Sequence, residues 1–439
     1  MNLEQASRPA DTFNDTQGAG IHVVAKPAGP SCNLDCGYCF YLEKHSLFGA
    51  GKSLQMPDDV LSAYIGNYIS SQPVPVVEFA WQGGEPLLSG IDFFKRVIEL
   101  QKSYPNRKLI RNSIQTNGTL LTDEWCCFLK KHNFMVGISL DGPREIHDRY
   151  RRNRGGEGSF DQVIRGLRLL QKHGVEYNVM ASVARETAAH PLDVYNFFRD
   201  EKIEFIQFTP IIERMPDASS KALGLLLAGP PLHDNVEDDI ETTQWSVQPE
   251  DYGDFLIAIY EEWIRNDVGK IFVMNFEWAL NAWIGNPSPI CTHAEQCGRS
   301  LVIEHNGDVY ACDHYVYPRY RLGNILTDSL TDMVTDSLKS GFGVMKESSM
   351  PDRCRRCEVL VACRGGCPKH RFVHIQCPEQ GTPYLCAGYR KFFLHIRKYL
   401  RGMATLLENG YPASYIMSAL KGPLVLQRKK KGTTDITKG

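Results

Sequence analysis

The sequence predicts an α/β protein: a partial, TIM-like (β/α)6 barrel followed by a smaller cysteine-rich domain. Two observations carry this. From about residue 21 to residue 212, short apolar runs alternate six times with amphipathic stretches, the pattern of a parallel sheet with helical crossovers. Beyond about residue 285 that rhythm ends and cysteines crowd the chain. A curved, partial barrel is the natural closure for six such repeats.

The elements follow in order. IHVVAKP, from Ile21, reads as the first strand and leads into a loop holding Cys32, Cys36 and Cys39. VVEFAWQGGEP reads as a second strand ending in a glycine turn, and IDFFKRVIELQKSYP has apolar residues at helical spacing. RKLIRNSIQTNGT is a strand and turn. LTDEWCCFLKKHN is a helix opened by Thr122 as N-cap. FMVGISLDG is the fourth strand, followed by the basic loop RRNRGGEGS and the helix FDQVIRGLRLLQKHG, which stops at Gly174. EYNVMASVA and EFIQFTPII are the fifth and sixth strands, with the helix PLDVYNFFRDEK between them. Residues 213–247 mix Pro, Gly and acidic runs and read as a long surface insertion; PEDYGDFLIAIYEEWIRNDV is the helix after it. The expected division is therefore a mobile leader at 1–20, a barrel at 21–285, a cysteine-rich domain at 286–400, and a C-terminal helix and basic tail at 401–439. RKKK in that tail reads as solvated charge.

Composition narrows the class. With 439 residues, 43% hydrophobic and 23% charged, the chain has the make-up of a globular protein with a full core. A net charge of −2 carries no signal for binding nucleic acid. The polar N-terminus has no apolar core of a signal peptide, and no apolar run reaches membrane-spanning length. Fourteen cysteines in such a chain imply metal in a reducing compartment, so a cytoplasmic location is expected.

Eleven of those cysteines fall into three groups. Cys32, Cys36 and Cys39 form a C-x3-C-x2-C run, with Tyr38 and Phe40 around the last thiol. Three thiolates on one loop suit three irons of a four-iron cube and leave the fourth iron open, since a closed cube takes four. A structural zinc knuckle also wants four ligands, and the flanking His22 and His45 are poorly spaced to supply one. Cys291, Cys297 and Cys312 form the second group, the last on a hairpin whose Asn306-Gly307 signals a two-residue turn. Cys354, Cys357, Cys363, Cys367 and Cys386 form the third. These eight suffice for two closed cubes, or equally for two zinc sites. The open site upstream favours the redox reading, because an electron carrier is useful beside it. Of the remaining thiols, Cys126 and Cys127 lie in a helical pattern and read as core residues; Cys377 is left over.

The C-x3-C-x2-C run with its aromatic residue, followed by Gly-Gly-Glu-Pro after the next strand, resembles the radical S-adenosylmethionine (SAM) superfamily. The later cysteines resemble its SPASM domain, which holds two auxiliary four-iron clusters. AKPAGPSCNLDCGYCFY, FAWQGGEPLLSG, SIQTNGTLL, VGISLDGPREIHD and VYACDHYV are similar to one branch, the anaerobic sulfatase-maturating enzymes. The likeness runs from about residue 21 to about residue 400.

The resemblance implies S-adenosylmethionine and three [4Fe-4S] clusters as cofactors. Cys32, Cys36 and Cys39 would hold the first cluster. Cys291, Cys297, Cys312 and Cys367 would hold the nearer auxiliary cluster, and Cys354, Cys357, Cys363 and Cys386 the outer one. Tyr38, Gly84, Ser139, Arg151 and Ile206 match cofactor contacts, with Arg151 pairing the methionine carboxylate and Ile206 facing adenine. Glu85 either accepts from the cofactor's ammonium or shapes the turn. Asp313 matches the family's base, which takes a proton from a Ser or Cys side chain on its way to formylglycine. The implied partners are an unfolded or nascent sulfatase polypeptide with a Cys/Ser-x-Pro-x-Arg motif and an electron donor such as flavodoxin or ferredoxin, with no nucleic acid and no membrane. Two other readings stand beside it: a maturase of another ribosomally made peptide, and a zinc-binding regulatory or scaffold protein.

Overall fold

The six expected strands form and lie side by side. In the computed structural model, which describes residues 20–49, 54–104, 108–231, 241–339, 342–373 and 381–422, they are β1 (His22–Ala25), β2 (Val76–Trp81), β3 (Leu109–Thr116), β4 (Phe134–Ser139), β5 (Tyr177–Val183) and β6 (Phe205–Pro210). Each pairs parallel with the next. The crossovers carry α1 (Asp58–Ser71), α2 (Gly90–Ser103), α3 (Asp123–Lys131), α4 (Arg144–Tyr150), α5 (Phe160–His173), α6 (Arg185–Ala188) and α7 (Pro191–Asp200). Thr122 caps α3, its hydroxyl accepting from the Trp125 amide at 3.2 Å. Gly174 ends α5 in the left-handed region, with φ at 60°. No helix is expected from the sequence at α1. That helix buries Val60, Leu61, Tyr64, Ile65, Tyr68 and Ile69 along one face at helical spacing.

Period-2 alternation divides each strand between two environments. Val23, Phe79, Val136, Val179 and Ile206 are buried completely under the helices. Gln115, Ser139, Asn178 and Gln207 are partly exposed on the other face. The fold is thus apolar outside the sheet, beneath the helices, and polar on its other side.

The sheet continues past residue 285. After α8 (Ala218–Ala222) and α9 (Pro249–Asn266), β7 (Phe272–Val273) extends it beyond β6, and α10 (Met274–Trp283) follows. β8 (Ser300–Ile303) then returns to the opposite edge and pairs parallel with β1. β9 (Asp308–Tyr310) and β10 (Arg321–Asn324) add antiparallel to it. The order β10-β9-β8-β1-β2-β3-β4-β5-β6-β7 leaves both edges open, an unclosed barrel. The β8–β9 turn differs from the two-residue expectation. Gly307 donates to Glu304 O at 2.9 Å and has φ at +86°, which makes a three-residue turn ending in a left-handed glycine.

Downstream lie α11 (Leu330–Lys339), α12 (Phe342–Ser348), α13 (Asp352–Arg355), α14 (Leu360–Cys363) and the long α15 (Cys386–Glu408). The C-terminal helix therefore begins at Cys386, well before residue 401. It packs on α9 through glycine: a Cβ on Gly388 would stand 1.8 Å from Pro249 O. The leader up to residue 19, the tail from residue 423 and Cys377 lie outside the described residues. Gly388→Val is expected to destabilise the fold by about 1–3 kcal/mol or more by wedging α15 off α9, measured by urea denaturation.

Candidate active site

The first cysteine loop is held by backbone hydrogen bonds from three sides. Lys26 N–H donates to Ile303 O at 2.9 Å, Gly84 N–H to Gly29 O at 2.9 Å and Glu85 N–H to Ser31 O at 2.8 Å. Asp35 and Gly37 donate to Arg152 O and Tyr150 O at 2.7 and 3.0 Å. Residue 84 must be glycine for this approach, since a Cβ there would lie 2.0 Å from Ser31 O. Glu85 is fully buried, and its carboxylate accepts from Leu87 N–H (3.0 Å), Thr116 Oγ1 (2.8 Å) and Asn117 N–H (2.7 Å). Burial pushes that carboxyl up to about 7 against the pull of those donors. Of the two roles open to Glu85, the structure supports shaping the turn.

Cys32, Cys36 and Cys39 come together on this loop. Burial pushes the Cys32 thiol up to about 11 and the Cys36 thiol up to about 12, with the charge of Cys39 adding to both. Cys32 Sγ receives the Leu34 N–H at 3.4 Å and the Asn117 amide at 3.7 Å. Thiols so placed ionise when metal binds them.

Beside the loop, Asp141 gathers three of the surrounding groups. It accepts from Tyr38 OH (2.5 Å), from Ser182 N–H (2.8 Å) and from Arg151 through two nitrogens (2.9 and 3.1 Å). Arg151 is thus already paired, and its guanidinium lies 5.6 Å from the Tyr38 ring centre. Ser139 ends β4 and accepts from the Gln115 amide at 3.0 Å. Ile206 departs from expectation. It pairs with Val179 and sits fully buried in the helix-facing core, while its neighbours Gln207 and Thr209 take the other face; one position along a strand reverses the side.

Asp313 follows Cys312 at the start of a short 3-10 turn and forms an ion pair with Lys26 at 2.6 Å. Burial opposes ionisation of Asp313, but Lys26, His314 and Lys369 outweigh it and hold the carboxyl below its ordinary range. The Lys26 ammonium also stands 4.3 Å from the centre of the Tyr41 ring, whose hydroxyl donates to buried Glu304. Tyr41, Phe48, Val302, Tyr310 and Val316 form a small apolar cluster that joins the cysteine loop to the β8–β9 hairpin.

The later thiols fall into two groups of four. Burial raises Cys297 to about 12, with Cys367 and Cys291 adding; Cys312 is raised by burial and then by the same two. Cys363 is raised to about 12 by burial, then by Cys354, Cys386 and Cys357. Arg371, buried and bonded to Gly365 O at 2.9 Å, feels charge from Cys354 in one group and from Cys297 and Cys367 in the other. Lys346 donates to Cys291 O and Thr292 O at 2.7 and 2.8 Å. Among the described residues, no three His, Cys, Asp or Glu side chains converge as tightly as a single ion requires. The more widely set thiols suit an iron–sulfur cube, whose corners lie further apart than the ligands of one ion. Of the other thiols, Cys126 is buried as expected, but Cys127 is exposed, with His173 Nδ1 at 3.7 Å; a 100° step along α3 separates them.

Described parts of the stretch expected as a surface insertion, around Leu226 and Trp245, lie against this centre. Leu226 and Leu227 N–H donate to Glu43 at 2.6 and 3.0 Å. With Trp245 and Arg154 they line a cavity of about 560 Å³ that reaches Cys36 and Cys39. Buried Glu213 pairs with Lys369 at 2.7 Å.

The family model for the radical SAM superfamily matches residues 27–198, and one described as an iron-sulfur cluster-binding domain, SPASM, matches residues 291–358. The chain is 45% identical over 401 residues to a serine-type anaerobic sulfatase-maturating enzyme of Bacteroides thetaiotaomicron, covering 91% of this chain and 95% of that protein. The chain belongs to the anaerobic sulfatase-maturating enzymes. It is a radical SAM enzyme. A cysteine-type member from Clostridium perfringens is 31% identical, covering 85% of this chain and 95% of that one. The solved structure of native anSMEcpe with bound AdoMet and Cp18Cys peptide superposes with a TM-score of 0.75 at 30% identity, covering 88% of this chain and 99% of the other.

Sequence reasoning about this sulfatase-maturating enzyme missed Asp141, Lys26 and Arg371. The Asp of SLDG and the Lys of AKP stand in the quoted motifs, but only their partners, far along the chain, reveal their roles. Glu85→Gln sets an amide donor against a backbone N–H and is expected to cost about 1–3 kcal/mol, measured by denaturant unfolding of the apo chain.

Proposed function

We propose that the protein oxidises a Ser or Cys side chain of a sulfatase polypeptide to Cα-formylglycine. The observation that carries this is the carboxylate of Asp313, one residue from the thiol of Cys312 and ion-paired to the residue that opens the first cysteine loop. The name and the 45% identity of the Bacteroides relative support the same substrate class.

Cys32, Cys36 and Cys39 hold the first [4Fe-4S] cluster in this reading. Cys291, Cys297, Cys312 and Cys367 hold the second, and Cys354, Cys357, Cys363 and Cys386 the third. When bound, S-adenosylmethionine and the clusters supply hydrogen-atom abstraction and accept the second electron. The chain's own residues provide position and proton transfer. The Gly84 turn seats the cysteine loop, the Asp141 node fixes Tyr38 and Arg151 beside it, and Ser139 presents a hydroxyl at the end of β4. Asp313 accepts the proton that leaves the substrate hydroxyl or thiol as its β-carbon becomes a carbonyl or thiocarbonyl; water then converts the thiocarbonyl to the aldehyde with release of hydrogen sulfide. A flavodoxin or ferredoxin is the proposed electron donor. The thiol-rich chemistry suits a reducing compartment such as the cytoplasm; no helix among the described residues is long and apolar enough to cross a membrane.

The test is incubation of the reduced protein with S-adenosylmethionine and a peptide bearing Ser-x-Pro-x-Arg or Cys-x-Pro-x-Arg. Aldehyde-bearing product by mass, together with 5′-deoxyadenosine, is the expected result; a different peptide modification would overturn the assignment. Asp313→Asn is expected to lower formylglycine yield about 10²–10⁴-fold, and full turnover by that variant would remove Asp313 from the reaction. Anaerobic reconstitution is expected to load about twelve irons per chain, measured by iron analysis, whereas about three zincs would reject the cluster assignment.

A further inference from the structure

Asp313 is met by a side chain from near the start of the chain. Lys26 closes β1, with its backbone N–H on Ile303 O of β8 at 2.9 Å and its carbonyl accepting from Gly29 at 3.1 Å. Its stem is 1% exposed and crosses the face of Tyr41 to meet Asp313 Oδ1 at 2.6 Å. The other lysines nearby have different partners: Lys369 pairs with Glu213 at 2.7 Å and Lys44 lies 3.7 Å from Glu43. Asp313 Oδ1 is buried, yet the side chain as a whole keeps 20% of its surface, so the exposure belongs to its other atoms.

We propose that Lys26 is the positioning residue of the deprotonation step: its ammonium anchors one oxygen of Asp313 and leaves the rest of the carboxylate for the substrate's hydroxyl or thiol. The inference rests on the proposed role of Asp313. A buried ion pair is a poor source of net stability, because desolvating two charges offsets their attraction. An apolar pair of similar volume would join β1 to the hairpin as well, but it would not orient a carboxylate. Lys26 also lies six residues before Cys32, and Asp313 one residue after Cys312. The pair therefore sets the distance between the first cysteine loop and the second cysteine group at the point where the substrate side chain must sit.

The experiment compares anaerobically reconstituted wild type, Lys26→Met, Lys26→Arg, Asp313→Asn and the Lys26→Met/Asp313→Asn double variant, each with the Ser-x-Pro-x-Arg peptide. Formylglycine per 5′-deoxyadenosine, iron content and the visible absorption of the clusters are read together. Lys26→Met is expected to lower the product ratio at least about tenfold at wild-type iron content, Lys26→Arg to recover most of it, and the double variant to fall no further than Asp313→Asn alone. An unchanged ratio in Lys26→Met overturns the proposal. So does a loss of iron that Lys26→Arg fails to restore, which would make Lys26 a structural residue. If Asp313→Asn itself keeps the wild-type ratio, the role of Asp313 fails, whatever Lys26 does.

Discussion

Thiols crowded in a low-dielectric interior raise one another, and the architecture depends on how that cost is met. Burial, with neighbouring thiols adding to it, pushes Cys36, Cys297 and Cys363 up to about 12, so negative charge on these sulfurs is costly without a positive partner. Positive charge from a bound metal would offset that cost, since thiols ligate metal as thiolates. The interleaving matters as much as the number. Cys367 belongs electrostatically with Cys291 and Cys297, while Cys363, four residues earlier, belongs with Cys354 and Cys386. The group that contains Cys367 spans both cysteine segments, so metal bound there would tie the folding of the two together.

Around the thiols, the protein places cations that are themselves buried and committed. Arg151 is spent on Asp141, Lys26 on Asp313 and Lys346 on backbone carbonyls. Arg371 lies within reach of both later groups. Such groups are costly to bury unpaired, which is why each is tied by two or more contacts. The outcome is a centre whose charges are fixed in place before any ligand arrives, the condition under which electrostatics aids a reaction.

The β8–β9 hairpin makes this centre possible. By pairing β8 with β1, it carries Cys312 and Asp313 to the strand from which Cys32, Cys36 and Cys39 depart. Parallel pairing between residues almost 280 positions apart is a purely tertiary event. It turns two cysteine segments, separate in sequence, into neighbours.

Local information determined a good deal of this protein. The strand positions, the Thr122 cap, the Gly174 stop and the six-repeat rhythm depend on neighbours a few residues away, and so they are written in composition and periodicity. The cysteine spacing and the Gly-Gly-Glu-Pro turn likewise carry their chemistry locally, because one loop and one close backbone approach make the site. Tertiary structure alone decided the rest. It turned Ile206 into the core, since a strand offers two faces and the sequence does not say which one the helices cover. It exposed Cys127 while burying Cys126, brought Leu226, Leu227 and Trp245 against the cysteine loop, and joined Lys26 to Asp313. Each depends on a partner brought from far along the chain, and no window of sequence contains both members of such a pair.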